Sequence, residues 1–186
     1  VLDMGQNLAG FPEITVRGRK GQKITLLVSE SLSDEGACNQ RQTGRQHYYE
    51  YTLKGEGVET WHPRFSYYGF RYIQVEGAVL KGQKNTLHLP VIQKIQSCFV
   101  YNSAPKVSTF QCSNRIFNEA HRLIEKAVRS NMQSVFTDCP HREKLGWLEQ
   151  DHLCGPGLLY NYDLTGFLPQ TLQNIVDAQH ANGAVP

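Results

Sequence analysis

The spacing of apolar residues changes near residue 105, and this change constrains the fold more than any other feature of the chain. Up to about residue 103, apolar and polar side chains alternate, which is the period of a half-buried strand. From about residue 107, apolar residues recur three and four positions apart, which is the period of an amphipathic helix. The pattern predicts a multidomain chain, β then α, with a β-sandwich domain over residues 1–105 and a helical part over residues 106–186.

In the first part, residues 11–17 place Ile14 and Val16 on one face, and residues 23–29 form a second β-branched, apolar run. Gly18 and Gly21 lie between them, so the two strands are expected to pair as a hairpin. Residues 33–46 are polar, contain Gly36 and Gly44, and read as a loop. Residues 47–53, 70–76 and 91–101 supply further strands, the last range one or two of them. Short strands separated by turns argue for an antiparallel sandwich.

In the second part, Ser113 is a candidate N-cap. After it Ile116, Ala120, Leu123, Ile124, Ala127 and Val128 recur at helical spacing. A second helix is expected over residues 165–180, with Phe167, Leu168, Thr171, Leu172, Ile175 and Val176 as its broad apolar stripe. Two helices and one irregular segment cannot enclose a core. Their stripes need cover from further helices or from another subunit.

Composition removes several classes of function. The 19 basic and 17 acidic side chains leave a net charge of +2, too small and too dispersed for a nucleic-acid binder. No apolar run is long enough to suggest a membrane span. The five cysteines are widely spaced and form no CxxC pair, which argues against a zinc site and a disulfide framework. Their odd number leaves the redox compartment open, and with it the localisation. His47, His62 and His88 are scattered, which argues against a metal. The sequence begins at Val1 and stops at Pro186, directly after a helical pattern, and both ends read as cuts in a longer protein.

Chemistry concentrates in residues 137–151, where acids, a histidine, an arginine and a tryptophan fall together. If the chain is helical from Pro140, then Glu143, Trp147 and Asp151 share one face. An apolar ring such as Trp147 suits the C–H face of a sugar, while Asp138, Arg142 and Gln150 suit its hydroxyls. A carboxyl such as Glu143 beside an apolar ring can keep the proton that a glycosidic oxygen needs. The same residues also fit plain structural parts. Asp138 before Pro140 can cap a helix, Glu143 can complement the helix dipole, Trp147 can be core, and Arg142 can pair with Glu149. Cys139 before proline suits buried structure better than a nucleophile. Trp61, Tyr67, Tyr68, Phe70 and Tyr72 form an aromatic group that suits either a sandwich core or a glycan-stacking face.

Residues 137–150 resemble the signature segment of the α-L-rhamnosidases of glycoside hydrolase family 78. Leu2-Asp3-Met4-Gly5-Gln6-Asn7-Leu8-Ala9-Gly10 resembles the opening of the β-sandwich domain in those enzymes. Tyr51-Thr52-Leu53-Lys54-Gly55, Trp61-His62-Pro63-Arg64-Phe65 and Gly69-Phe70-Arg71-Tyr72 fit the same domain, and Ser113-Asn114 fits the helix start. The resemblance implies that the helical part opens an (α/α)6 barrel. It implies inverting hydrolysis of terminal α-L-rhamnosides with no organic cofactor, Glu143 being the general acid. Asp138 and Arg142 match sugar-binding positions, and Trp147 matches the apolar wall of the pocket. Gln150 stands where many members have a sugar-contacting aspartate, which leaves the sugar identity open. The general base falls beyond residue 186, so the partners implied are a rhamnose-containing glycoside and the remainder of the catalytic domain. The chain is expected to be inactive alone. A non-catalytic carbohydrate-binding module with a helical scaffold is the alternative.

Overall fold

The computed structural model describes residues 1–44 and 46–185. Arg45 of the expected 33–46 loop and the terminal Pro186 lie outside the described residues. The chain divides into two compact units. One comprises Val1–Val100 with Cys139–Glu143, and the other Tyr101–Asp138 with the chain from Lys144 onward.

Among the described residues the first unit holds seven strands: β1 (Leu2–Arg17), β2 (Lys23–Ser29), β3 (Tyr48–Thr52), β4 (Val58–Trp61), β5 (Tyr68–Glu76), β6 (Val79–Leu80) and β7 (Val91–Phe99). β1 is the hinge of the sandwich. Its first half, Leu2 to Gly10, pairs with β5, which continues through β2 to β3. Its second half lies between β4 and β7. A strand that passes from one layer to the other forms a corner of such a fold. Gly10 sits at the handover, paired with Tyr68 on one side and Phe99 on the other. A Cβ there would stand 2.0 Å from the Cys98 carbonyl oxygen, so only glycine lets the strands approach.

Side chains alternate in and out along the second half of β1 and along β2, and the inward residues of the strands close one core. Ile14 and Val16 of β1 meet Ile24, Leu26 and Val28 of β2, Phe70 and Ile73 of β5, and Ile92 of β7. Each such side chain contributes about 1.5–3 kcal/mol on burial.

The expected hairpin between residues 11–17 and 23–29 does not form, because β2 pairs with β3 and β5 and not with β1. The reason lies in the core. Ile14 and Val16 must face Ile24, Leu26 and Val28 across it, whereas a hairpin would set them side by side in one layer. The sheet is also not wholly antiparallel, since β6 runs parallel to β7. Residues 91–101 form one strand, which stops at Phe99.

The second unit contains α1 (Arg115–Asn131), α2 (Leu148–Asn161) and α3 (Phe167–Ala178). Asn114, not Ser113, caps α1, and its Oδ1 accepts the Ile116 N–H at 2.9 Å. α2 was not expected, because Gly155-Pro156-Gly157 interrupts the helical pattern. A small core unites Met132, Phe136, Leu158, Tyr162, Leu164 and Phe167. Ile116, Leu123 and Ile124 of α1 and Leu172 and Val176 of α3 remain exposed, so part of each apolar stripe read from the sequence lies open, while Val128, Phe167 and Leu168 join the core. Among the described residues no helix is long and apolar enough to cross a membrane.

Candidate active-site segment

Residues 140–147 are not helical, so the expected face of Glu143, Trp147 and Asp151 does not exist. Pro140 opens a turn instead, and Lys144 takes a left-handed backbone at φ 55° that breaks any helical run. Asp138 does not cap a helix. Its Oδ1 accepts the Leu145 N–H at 3.0 Å, and its own N–H donates to the Leu145 carbonyl at 3.1 Å. These two bonds close the neck of a loop. Within the loop, Cys139 Sγ accepts the Glu143 N–H at 3.3 Å, which gives the cysteine a structural place.

The two compact units share out the segment. The tip of the loop, Cys139–Glu143, belongs with the sandwich residues. There Arg142 Nη2 donates to Glu143 Oε1 at 2.6 Å, so Arg142 pairs with its neighbour and not with Glu149. The Arg142 stem lies over Gly44, where a Cβ would stand 3.4 Å from Arg142 Cγ. The Glu143 side chain is 34% exposed, accessible enough to meet a substrate.

Asp138, Trp147 and Gln150 belong to the helical unit. Asp138 and Gln150 line one cavity of about 210 Å³, walled by Ile124, Val128, Phe136 and Leu158. Such a chamber offers a carboxylate and an amide against an apolar surface, a combination that binds a small polar ring. Trp147 is the N-cap of α2 and half-exposed, and its carbonyl accepts the Gln150 N–H at 3.0 Å.

The sandwich aromatics settle mostly into the core. Phe70 is fully buried, and Trp61 and Tyr68 pack against the same cluster. The Trp61 ring stacks on Tyr51 and the Tyr68 ring on His47, so each has one face occupied.

Asp151 is a residue whose environment the sequence did not announce. It faces a separate cavity of about 190 Å³ with Val135, Gly146, Thr171 and Asn174. Burial raises its carboxyl above the usual range, and its Oδ1 has no hydrogen-bond partner among the described residues. Glu30 and Gly69 were likewise not singled out as site residues, yet both touch the loop that carries Glu143. An isolated glycine within a strand pattern was the available sign for Gly69. Glu30 carries no local sign, because its partner His141 lies far along the chain.

Comparison with known proteins matches both halves in order. Residues 1–101 match the bacterial alpha-L-rhamnosidase concanavalin-like domain, and residues 105–186 the bacterial alpha-L-rhamnosidase 6 hairpin glycosidase domain. An alpha-L-rhamnosidase of Formosa agariphila is 33% identical over 181 residues, which are 94% of this chain and 18% of the relative. The crystal structure of Streptomyces avermitilis alpha-L-rhamnosidase complexed with L-rhamnose superposes with a TM-score of 0.83 at 33% identity, covering 99% of this chain and 17% of that one. The alpha-L-rhamnosidase from Dictyoglumus thermophilum superposes at 0.84 with 33% identity, covering 98% of this chain and 20% of that one. The chain thus spans about a fifth of the length of such relatives. With both parts matched in sequence order and a third of its residues shared across nearly its whole length, the chain belongs to the bacterial α-L-rhamnosidase family.

Proposed function

We propose that this chain is part of an α-L-rhamnosidase that hydrolyses terminal α-L-rhamnosides with inversion, and that Glu143 is its general acid. In this reading residues 1–105 are the β-sandwich domain and residues 106–186 open the (α/α)6 catalytic barrel. The observation that carries it is the match of consecutive rhamnosidase domain models to the two parts. The open apolar faces of α1 and α3 support it too, because further barrel helices would cover them.

Cleavage of a glycoside requires a proton on the departing oxygen and a nucleophilic water on the opposite face of the sugar. Glu143 supplies the proton. A second carboxylate, in the remainder of the catalytic domain, deprotonates the water from about 6.5–9.5 Å away. Arg142 donates to Glu143 Oε1 and takes the sugar-binding role that the resemblance gives its position. Asp138 and Gln150 take the hydroxyl-binding roles and Trp147 the apolar-wall role that the family resemblance gives their positions. Two carboxyl groups and water complete the reaction without an organic cofactor.

Hydrolysis of a panel of p-nitrophenyl glycosides by the full-length protein tests this reading, with proton NMR of the first-formed sugar. The expected result is release from the α-L-rhamnoside with the β anomer appearing first. First release of the α anomer would exclude inversion. A folded protein inactive on every sugar would leave the carbohydrate-binding module as the better reading.

A further inference from the structure

Glu143 follows Pro140, His141 and Arg142 around a single turn, and the strand domain grips that turn at two points. Gly69 of β5 donates its N–H to the Pro140 carbonyl at 2.7 Å. His141 Nδ1 is buried, makes no hydrogen bond among the described residues and lies 3.4 Å from Glu30 Oε2, with side chains only 22% and 26% exposed. Glu30 follows β2 directly, and its other oxygen accepts the Asn7 amide of β1 at 2.9 Å. The fit is close. A Cβ on Gly69 would stand 2.8 Å from Pro140 Cγ, 3.0 Å from Glu30 Oε1 and 3.2 Å from His141 Cβ. From the gripped turn, the Cys139 sulfur accepts the Glu143 N–H and Arg142 Nη2 donates to Glu143 Oε1.

These contacts hold the turn with polar groups where apolar packing would serve stability as well. An apolar pair of similar volume would stabilise a half-buried contact as well as a histidine facing a carboxylate does. Direction comes from the Gly69 N–H bond to the Pro140 carbonyl, and the close packing of Gly69, Glu30 and His141 fixes where the turn must lie. Direction matters for a proton donor. A shift of about 1 Å between a catalytic group and its target costs about a hundredfold in rate.

We propose that Glu30, His141 and Gly69 are positioning residues that make the β-sandwich hold the Glu143 acid in register with the leaving oxygen. The proposal rests on the assignment of Glu143 as the acid. It gives the sandwich a part in catalysis that does not require it to touch the sugar.

The test exploits leaving-group demand in the full-length enzyme. An alkyl α-L-rhamnoside needs its leaving oxygen protonated, whereas the p-nitrophenyl rhamnoside departs with little help. Glu30→Ala and Gly69→Ala should lower kcat on the alkyl glycoside about 30- to 100-fold. On the p-nitrophenyl glycoside the loss should stay below about threefold, with KM for both kept within about twofold. Glu30→Gln, which keeps the side-chain volume beside His141 and an acceptor for the Asn7 amide, should recover most of the loss. The double variant Glu30→Ala/His141→Ala should be no worse than either single change, as expected of a coupled pair. If Gly69→Ala does not fold, the Glu30 and His141 variants carry the same comparison. Equal losses on both glycosides in the Glu30 variants, with Glu143→Gln still selective for the alkyl substrate, would overturn the positioning role. Loss of that selectivity in Glu143→Gln itself would instead remove the acid assignment, and the proposal with it.

Discussion

Asp138 and Gln150 line the same cavity of the helical unit, one at the neck of the loop and the other in the first turn of α2. A carboxylate and a primary amide facing one small chamber can hold neighbouring hydroxyls, the first by accepting and the second by both donating and accepting. Gln150→Ala should raise KM for the α-L-rhamnoside about five- to tenfold, the equivalent of one hydrogen bond, and leave kcat within about threefold. Asp138→Asn should keep the Leu145 bond and the loop, because an amide oxygen still accepts. Steady-state kinetics of the full-length protein check both. An unchanged KM in Gln150→Ala would remove that side chain from the sugar site.

Asp151 points to the other cavity, and burial raises its carboxyl. The raised folded value means that the unfolded chain releases this proton first as pH rises. Stability therefore falls with pH through the carboxylate range, and the ionised group weighs against folding at neutral pH. Asp151→Asn should raise the denaturation midpoint at about pH 7, and the gain should vanish towards about pH 3. A gain that persists in acid would show that ionisation is not its cause.

Glu59 shows the opposite sign. Burial alone would raise its carboxyl, but hydrogen bonds from Tyr51 and the Lys54, Gly55 and Glu56 amides outweigh it and hold the group below the usual range. Tyr51 reaches Glu59 Oε2 at 2.5 Å, and burial together with this bond pushes its hydroxyl up to about 12. As pH falls the unfolded chain takes up the proton first. The contribution of Glu59 is thus complete above the ordinary glutamate value of about 4.3 and is lost as pH drops through the folded one. Tyr51→Phe should cost about 1–2 kcal/mol at pH 7 and flatten the acid side of the stability curve. Urea midpoints between about pH 7 and about pH 3 would show it.

β2 could be read from the sequence because Ile24, Leu26 and Val28 are buried in strict alternation against one core. Strand pairing could not be. The pairing of β1 with β4, β5 and β7 is set by which apolar faces meet across the sandwich, and no local signal reports that. β4 and β6, with 4 and 2 residues, are too short to show a period. In the helical unit, Gly155 and Pro156 hide α2 from a propensity reading, although the helix forms around them. The site followed the same division. The residues of the 137–151 segment stood out by type, but helical spacing gave the wrong geometry. A loop closed by Asp138 and Leu145 obeys hydrogen bonds that span it, and not a period.

The assignment of Glu143 as the proton donor is tested most directly by Glu143→Gln in the full-length protein, assayed on an alkyl α-L-rhamnoside with L-rhamnose binding followed by calorimetry. The amide keeps the shape and the Arg142 contact but has no acidic proton to give. The expected result is a kcat lower by about 10²- to 10⁴-fold, with the Kd for rhamnose held within about threefold, since the amide oxygen still accepts the Arg142 bond and the side chain keeps its size. Undiminished turnover in a folded Glu143→Gln protein would contradict the account and move the acid elsewhere.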